Sequence, residues 1–158
     1  MYVVLKESNH LSLAPGFHQS LGLVAAVMLN SREYCQYPIA CLKFWIEPAI
    51  LLNQIHFFFD LGGQPIGYMT WAYLAEDTEK RLLHDPDVLL HLSEWNEGES
   101  LWILDLVVLD GSLKNQLREA FSLLSKFAEA KSLRRRADGT VRKVTKWRRR
   151  QERGNPDK

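Results

Sequence analysis

The sequence predicts one α/β domain, with a mixed, largely antiparallel sheet covered on its faces by helices. Three observations carry that reading. Two apolar runs, Ile55 to Asp60 and Pro65 to Tyr73, flank Gly62-Gly63 in a hairpin pattern. A third run, Leu101 to Leu109, is aliphatic, β-branched and aromatic, and reads as a buried strand. Around these runs, apolar residues recur at steps of three and four, as they do on the buried face of a helix. A length of 158 residues with 46% hydrophobic content is enough for a single core. The domain is placed at 1–150 and a basic, disordered tail at 151–158.

Tyr2 to Leu5 reads as a short edge strand. Gly16 to Leu29 carries Phe17, Leu21, Val24, Ala25 and Met28 at helical spacing and stops at Asn30-Ser31. Pro38 starts an extended run, Ile39 to Ile46, which ends before Pro48. Ala49 to Gln54 supplies a helical turn or two. Glu76 to His84 is a helix, Asp85-Pro86 breaks it, and Asp87 to Ser93 reads as a second short helix. Asp110-Gly111 is a turn before an amphipathic helix from Leu113 to Ala130. Two basic strands, Leu133 to Arg136 and Val141 to Trp147, close the domain around the turn Ala137-Asp138-Gly139-Thr140. Neither GxGxxG nor GxxxxGK[ST] is present, so the strands do not read as a doubly wound nucleotide-binding sheet.

The net charge of +1 hides an asymmetry. Arg134 to Lys158 holds eleven basic and three acidic side chains, while residues 1–133 hold nine basic and sixteen acidic ones. Such an end points to an anionic partner or to a solvated tail. Tandem basic residues with Trp147 among them could grip nucleic acid, but no RNA-binding motif accompanies them, so that partner is secondary. No apolar run approaches the ~20 residues of a membrane helix. The five histidines show no metal-ligand spacing, and Cys35 and Cys41 show no metal or redox spacing. A reducing cytoplasm fits, with one disulfide left open.

Asp105 stands inside the apolar Leu101 to Leu109 run. Burial disfavours its charged form, so it needs a reason to be there. It is either neutralised by an arginine or backbone donors, or it takes part in proton chemistry. In the strand Pro65 to Tyr73, Tyr68, Thr70 and Ala72 share one face, and Met69, Trp71 and Tyr73 the other. Trp71 reads as a core aromatic or as the wall of an apolar channel.

These segments together resemble the RTX toxin-activating lysine acyltransferases, the haemolysin-activator family. The resemblance rests on Pro65-x-x-Tyr68-x-x-Trp71-Ala72 and on Trp95-x-x-Gly98-x-x-x-Trp102-x-x-Asp105. Gly111 and the basic strand pair with Lys143-Val144 complete it. It implies a GNAT-like fold and a cytoplasmic enzyme with no tightly bound cofactor. Such enzymes move a fatty acyl group from acyl carrier protein to a lysine amine of a protoxin, and coenzyme A thioesters would suit the same basic patch. It also implies a catalytic histidine paired with a catalytic aspartate. The aspartate maps onto Asp105, but the histidine position holds Tyr34. Three consequences stand open. Tyr34 does an altered version of the job, another group serves as base, or the acceptor is different, such as a lysine- or ornithine-like amine in a precursor peptide. On this reading Trp71, Trp102 and Tyr68 contact the acyl donor, and Arg142 and Lys143 dock its carrier. A homodimer is compatible. The rival reading is a catalytically altered module of the same fold that binds an anionic partner, the acyl carrier protein or nucleic acid, through its basic end.

Overall fold

The computed structural model describes residues 16–109, 111, 116, 118, 120, 122, 129–136 and 138–148. The expected edge strand at Tyr2 to Leu5 and the tail at 151–158 lie outside these residues. Helix α1 spans Phe17–Asn30, a short helix α2 spans Glu47–Leu51, and α3 spans Glu76–His84. Among the described residues five strands, β1 (Ile55–Phe59), β2 (Pro65–Leu74), β3 (Ser100–Val108), β4 (Glu129–Arg135) and β5 (Val141–Arg148), form one sheet in sequence order. Only the β3–β4 contact is parallel; the other three pairs are antiparallel. This is the mixed, largely antiparallel α/β sheet that the sequence predicts.

The two faces of β2 divide the core as the alternation requires. Tyr68 packs with Phe17, Val24 and Val27 of α1. Met69 packs on the other face with Phe58, Leu101, Ile103 and Ala120, and Ala120 belongs to a helical stretch that includes residues 116, 118 and 122. A third cluster joins Ala49, Ala72, Leu74, Leu82, Trp95 and Trp102 beneath α3. Helix α3 is fastened to β4 at two points. Lys131 pairs with Glu79 at 2.6 Å, and the Arg135 guanidinium donates to the Leu82 carbonyl at 2.7 Å.

Three segments differ from the sequence expectation. Ile39 to Ile46 is not extended: Leu42–Ile46 is a π-helical stretch that runs into α2. The apolar positions Leu42, Ile46, Ala49 and Ile50 already carry helical spacing, but Pro48 splits the pattern. Pro48 is tolerated because it sits in the first turn of α2, where a missing N–H costs little, with the widened turn just before it. Asp87 to Ser93 is not a helix. The Asp85 side chain takes the Asp87 N–H at 2.9 Å into a local turn, and only Leu92–Trp95 winds, as a 3₁₀ turn capped by His91 and Glu94. Glu129 and Ala130, expected to end a helix, instead begin β4, where they pair with Arg148 and Trp147.

Gly98 fixes the approach to β3. Its N–H donates to the Tyr73 carbonyl at 3.0 Å. A Cβ at this position would lie 2.1 Å from the Leu74 carbonyl oxygen, against backbone that cannot step aside. Gly98→Ala is therefore expected to cost about 3 kcal/mol and lower Tm by roughly 10 °C in a thermal melt. A melt unchanged from wild type would contradict this account of the turn.

Candidate active site

Asp105 owes its position to an irregularity in β3. Thr70 pairs with Asp105 while Trp71 pairs with Ile103, so Leu104 is an extra residue without a partner on β2. A one-residue bulge reverses the alternation beyond it. Trp102 and Leu104 pack in the cluster beneath α3, and Asp105 and Val107 then fall on the same side of the sheet. A regular strand would have aimed Asp105 at the opposite core. The parallel pairing of β3 with β4 is limited to Trp102–Lys131 and Ile103–Ser132. Past those pairs the strands part, and Leu104 and Asp105 on one side face Leu133 and Arg135 on the other across a cavity of about 360 Å³.

Two phenols hold the Asp105 carboxyl. The Tyr34 hydroxyl donates to Oδ1 in a short hydrogen bond, and the Tyr68 hydroxyl donates to Oδ2 at 3.0 Å. Tyr34 is delivered by a single 3₁₀ turn, Tyr34–Gln36, whose first N–H is taken by the Ser31 hydroxyl. Tyr68 comes from β2 and is fully buried. Among the described residues no ion pair to Asp105 is formed, so the guanidinium clasp of a purely structural carboxylate is not what holds it. Burial pushes the Asp105 pKa up to about 6, against the opposing pull of both phenols and the Leu106 backbone. Desolvation and the adjacent carboxylate push both phenols far above their ordinary range, so they remain neutral donors. Asp105 as a residue is nonetheless only partly buried, and it lines the cavity.

The cavity has two unlike ends. On one side an aromatic series leads outward, with Tyr34 edge-on to Tyr37 and Tyr37 edge-on to Trp45, each at 5.4 Å. Trp45 and Phe44 line the opening and are 38% and 48% exposed. On the other side Leu82, Val88, Leu90 and Trp95 line an apolar lobe together with Leu104 and Leu133.

Tyr34 and Asp105, singled out in the sequence, are thus in direct contact, and Tyr68 meets the carboxyl itself. Trp102 is buried behind the lobe, beside Trp95, and is not a lining residue. Trp71 packs on the opposite face of the sheet. Arg142 and Lys143 are exposed on the edge strand β5, away from the lining, whereas Arg135 borders the cavity. Phe44 and Trp45 were hidden from sequence reasoning by the extended reading of their segment. Arg135 carried only the signal of its place in a basic run.

Residues 16–148 match the model of the HlyC RTX toxin acyltransferase family. The chain belongs to that family. It is 28% identical over 120 residues to the uncharacterized protein sll0720 of Synechocystis, covering 75% of this chain and 81% of that one. It is 31% identical over 104 residues to the RTX-II toxin-activating lysine-acyltransferase ApxIIC of Actinobacillus pleuropneumoniae, covering 64% of each. It is 29% identical over 130 residues to the protein-lysine palmitoyltransferase CyaC of Bordetella bronchiseptica, covering 82% of this chain and 69% of that one. Among solved structures, the loading GNATL domain of CurA from Lyngbya majuscula aligns with a TM-score of 0.45 at 15% identity, over 74% of this chain and 61% of that domain.

Proposed function

We propose that this protein transfers a fatty acyl group from a carrier-protein or coenzyme A thioester to a lysine-type side-chain amine of a protoxin or precursor peptide. The observation that carries the proposal is the Tyr34–Asp105 hydrogen bond at the floor of an apolar cavity. The amine arrives protonated, since a free lysine has a pKa of ~10.4. Asp105 is the base: with a pKa of about 6 it is ionised at neutral pH yet basic enough to accept a proton transiently. Tyr34 already donates its one proton to Asp105, so it is placed as a relay, taking a hydrogen from the ammonium as it passes its own to Oδ1. The freed amine attacks the thioester carbonyl, the C–N bond forms and the C–S bond breaks. The proton held by Asp105 returns to the departing thiolate, and the second amine proton leaves to solvent. No covalent enzyme intermediate is needed.

The parted strands β3 and β4 leave an opening in which main-chain groups can meet the amides of a pantetheine arm. The basic strand β5, with Arg142 and Lys143 exposed, suits the acidic surface of a carrier protein. Trp102 supports the lobe wall from behind. The reaction belongs in the cytoplasm, where carrier thioesters are made; among the described residues no helix is long and apolar enough to cross a membrane.

The test is incubation with myristoyl and palmitoyl acyl carrier protein and a panel of lysine-containing peptides. Release of carrier thiol matched by an acyl mass increment on a lysine is the expected result. Carrier binding without thioester loss would leave only the rival reading of an altered binding module.

A further inference from the structure

The acyl chain that this reaction requires has an apolar lobe to run into. From Tyr34 and Asp105 the aromatic side of the cavity opens to solvent. The lobe is walled by buried side chains, Leu82 and Trp95 being 7% and 2% exposed. An alkyl chain gains its binding free energy by leaving water, so it enters the lobe, and the amine acceptor approaches over Tyr37, Phe44 and Trp45.

The walls of the lobe are not equally fixed. Leu104 stands on β3, at its bulge, and Leu133 on β4, where it pairs with Val144. Leu82 stands on α3, which is fastened to β4 through Lys131 and Arg135. Val88 and Leu90 belong to the irregular stretch between α3 and the 3₁₀ turn at Leu92–Trp95. That stretch is tied down locally, by Val88 N–H to the Asp85 carbonyl at 3.4 Å and by the Arg81 guanidinium to the Leu89 carbonyl at 3.4 Å. Between these two lining residues, Leu89 turns outward and is 50% exposed. Val88 and Leu90 pack against the buried cluster beneath α3, but neither stands on a strand or a helix, so a change of side chain there leaves the backbone pairing of the sheet in place.

We propose that Val88 and Leu90 form the end wall of the acyl lobe and set the length of the acyl chain this protein accepts. The proposal rests on the acyltransferase reading and adds the residues that select the donor. Packing one more methylene contributes ~0.8 kcal/mol, about fourfold in kcat/KM, until the wall is reached; beyond it the next methylene meets side chain.

The experiment gives wild type, Leu90→Trp, Val88→Trp, the double variant Val88→Ala with Leu90→Ala, and Leu89→Trp a series of saturated acyl carrier proteins of graded chain length. Each tryptophan variant is expected to lower kcat/KM for the longest accepted chain by tenfold or more while sparing shorter ones. The double alanine variant is expected to raise kcat/KM for a chain two carbons longer by on the order of tenfold. Leu89→Trp, pointing away, is expected to leave the ranking unchanged. In parallel, binding of free saturated fatty acids of the same lengths is followed by intrinsic tryptophan fluorescence for wild type, Val88→Leu and the double alanine variant, with the length cut-off expected to shift. If acylation proceeds but the ranking and cut-off stay with wild type, the end wall is elsewhere. If Leu89→Trp shifts the ranking as much as Leu90→Trp, the effect is a general disturbance of the stretch and the assignment falls. If no chain is transferred by any form, the acyltransferase reading fails, and the binding cut-off still decides whether 88 and 90 limit the lobe.

Discussion

Asp105→Asn is expected to abolish acyl transfer while making the protein more stable at neutral pH. The two effects have one cause. The carboxyl lies in a poorly solvated site that pushes its pKa up to about 6, which makes it a usable base and an expensive anion. Loss of a positioned general base typically costs 10²- to 10⁴-fold in rate, so kcat/KM should fall about a thousandfold. Asparagine fills the same space and can still meet the hydroxyls of Tyr34 and Tyr68, but it carries no charge to desolvate. For the wild type, the folded state holds the Asp105 proton more tightly than the unfolded chain, where the pKa is near ~3.9. Folding stability from this group is therefore present below about pH 4, falls as pH rises through about 6, and is fully lost above it. The asparagine variant does not suffer that loss. Its melting temperature should exceed wild type's above pH 6.5 by an amount equivalent to on the order of 2 kcal/mol, and the gap should close near pH 4. Thermal melts across that range, with turnover at pH 8, measure both effects. A variant that loses activity because it has lost stability would show that Asp105 is a structural residue.

Why a cost of this kind persists is clearest from how the site is assembled. The hairpin around Gly62-Gly63, the Glu76–His84 helix and the apolar β3 run were legible, because each is a local pattern of one period. The odd carboxylate in β3 was legible as an anomaly for the same reason. The bulge that aims it was not, since Leu104 looks like any other apolar strand residue and no glycine marks the site. Tyr34 and Asp105 are separated by 71 positions, and no local pattern joins them. Only the resemblance of the segments around them to one family brought the pair to notice. The aromatic opening was missed outright because Pro48 suggested a strand end where a π-helical turn absorbs it. Strand and helix periods are written in the side chains that pack, whereas bulges, widened turns and the parting of β3 from β4 are decided by long-range contacts.

The two phenols around Asp105 are expected to answer differently to loss of the hydroxyl. Tyr68→Phe removes the buried hydrogen bond to Oδ2, one of the interactions that hold the Asp105 pKa down. The acid limb of kcat/KM should then move up from about 6 by roughly one unit. Above that limb, activity should come back to within a few-fold of wild type, because the carboxylate and Tyr34 are both still in place. Tyr34→Phe also removes a bond to the carboxylate, and its limb should move the same way. In this variant, however, the path from amine to Oδ1 is gone, so the plateau itself should fall about a hundredfold and alkaline pH should not rescue it. Tyr34→His, which supplies an imidazole with its own path to Asp105, should retain turnover and add a second ionisation to the profile. These pH–rate profiles separate a relay from a prop. If Tyr34→Phe recovers at high pH as fully as Tyr68→Phe, Tyr34 only positions the carboxylate, and Asp105 must take the proton directly.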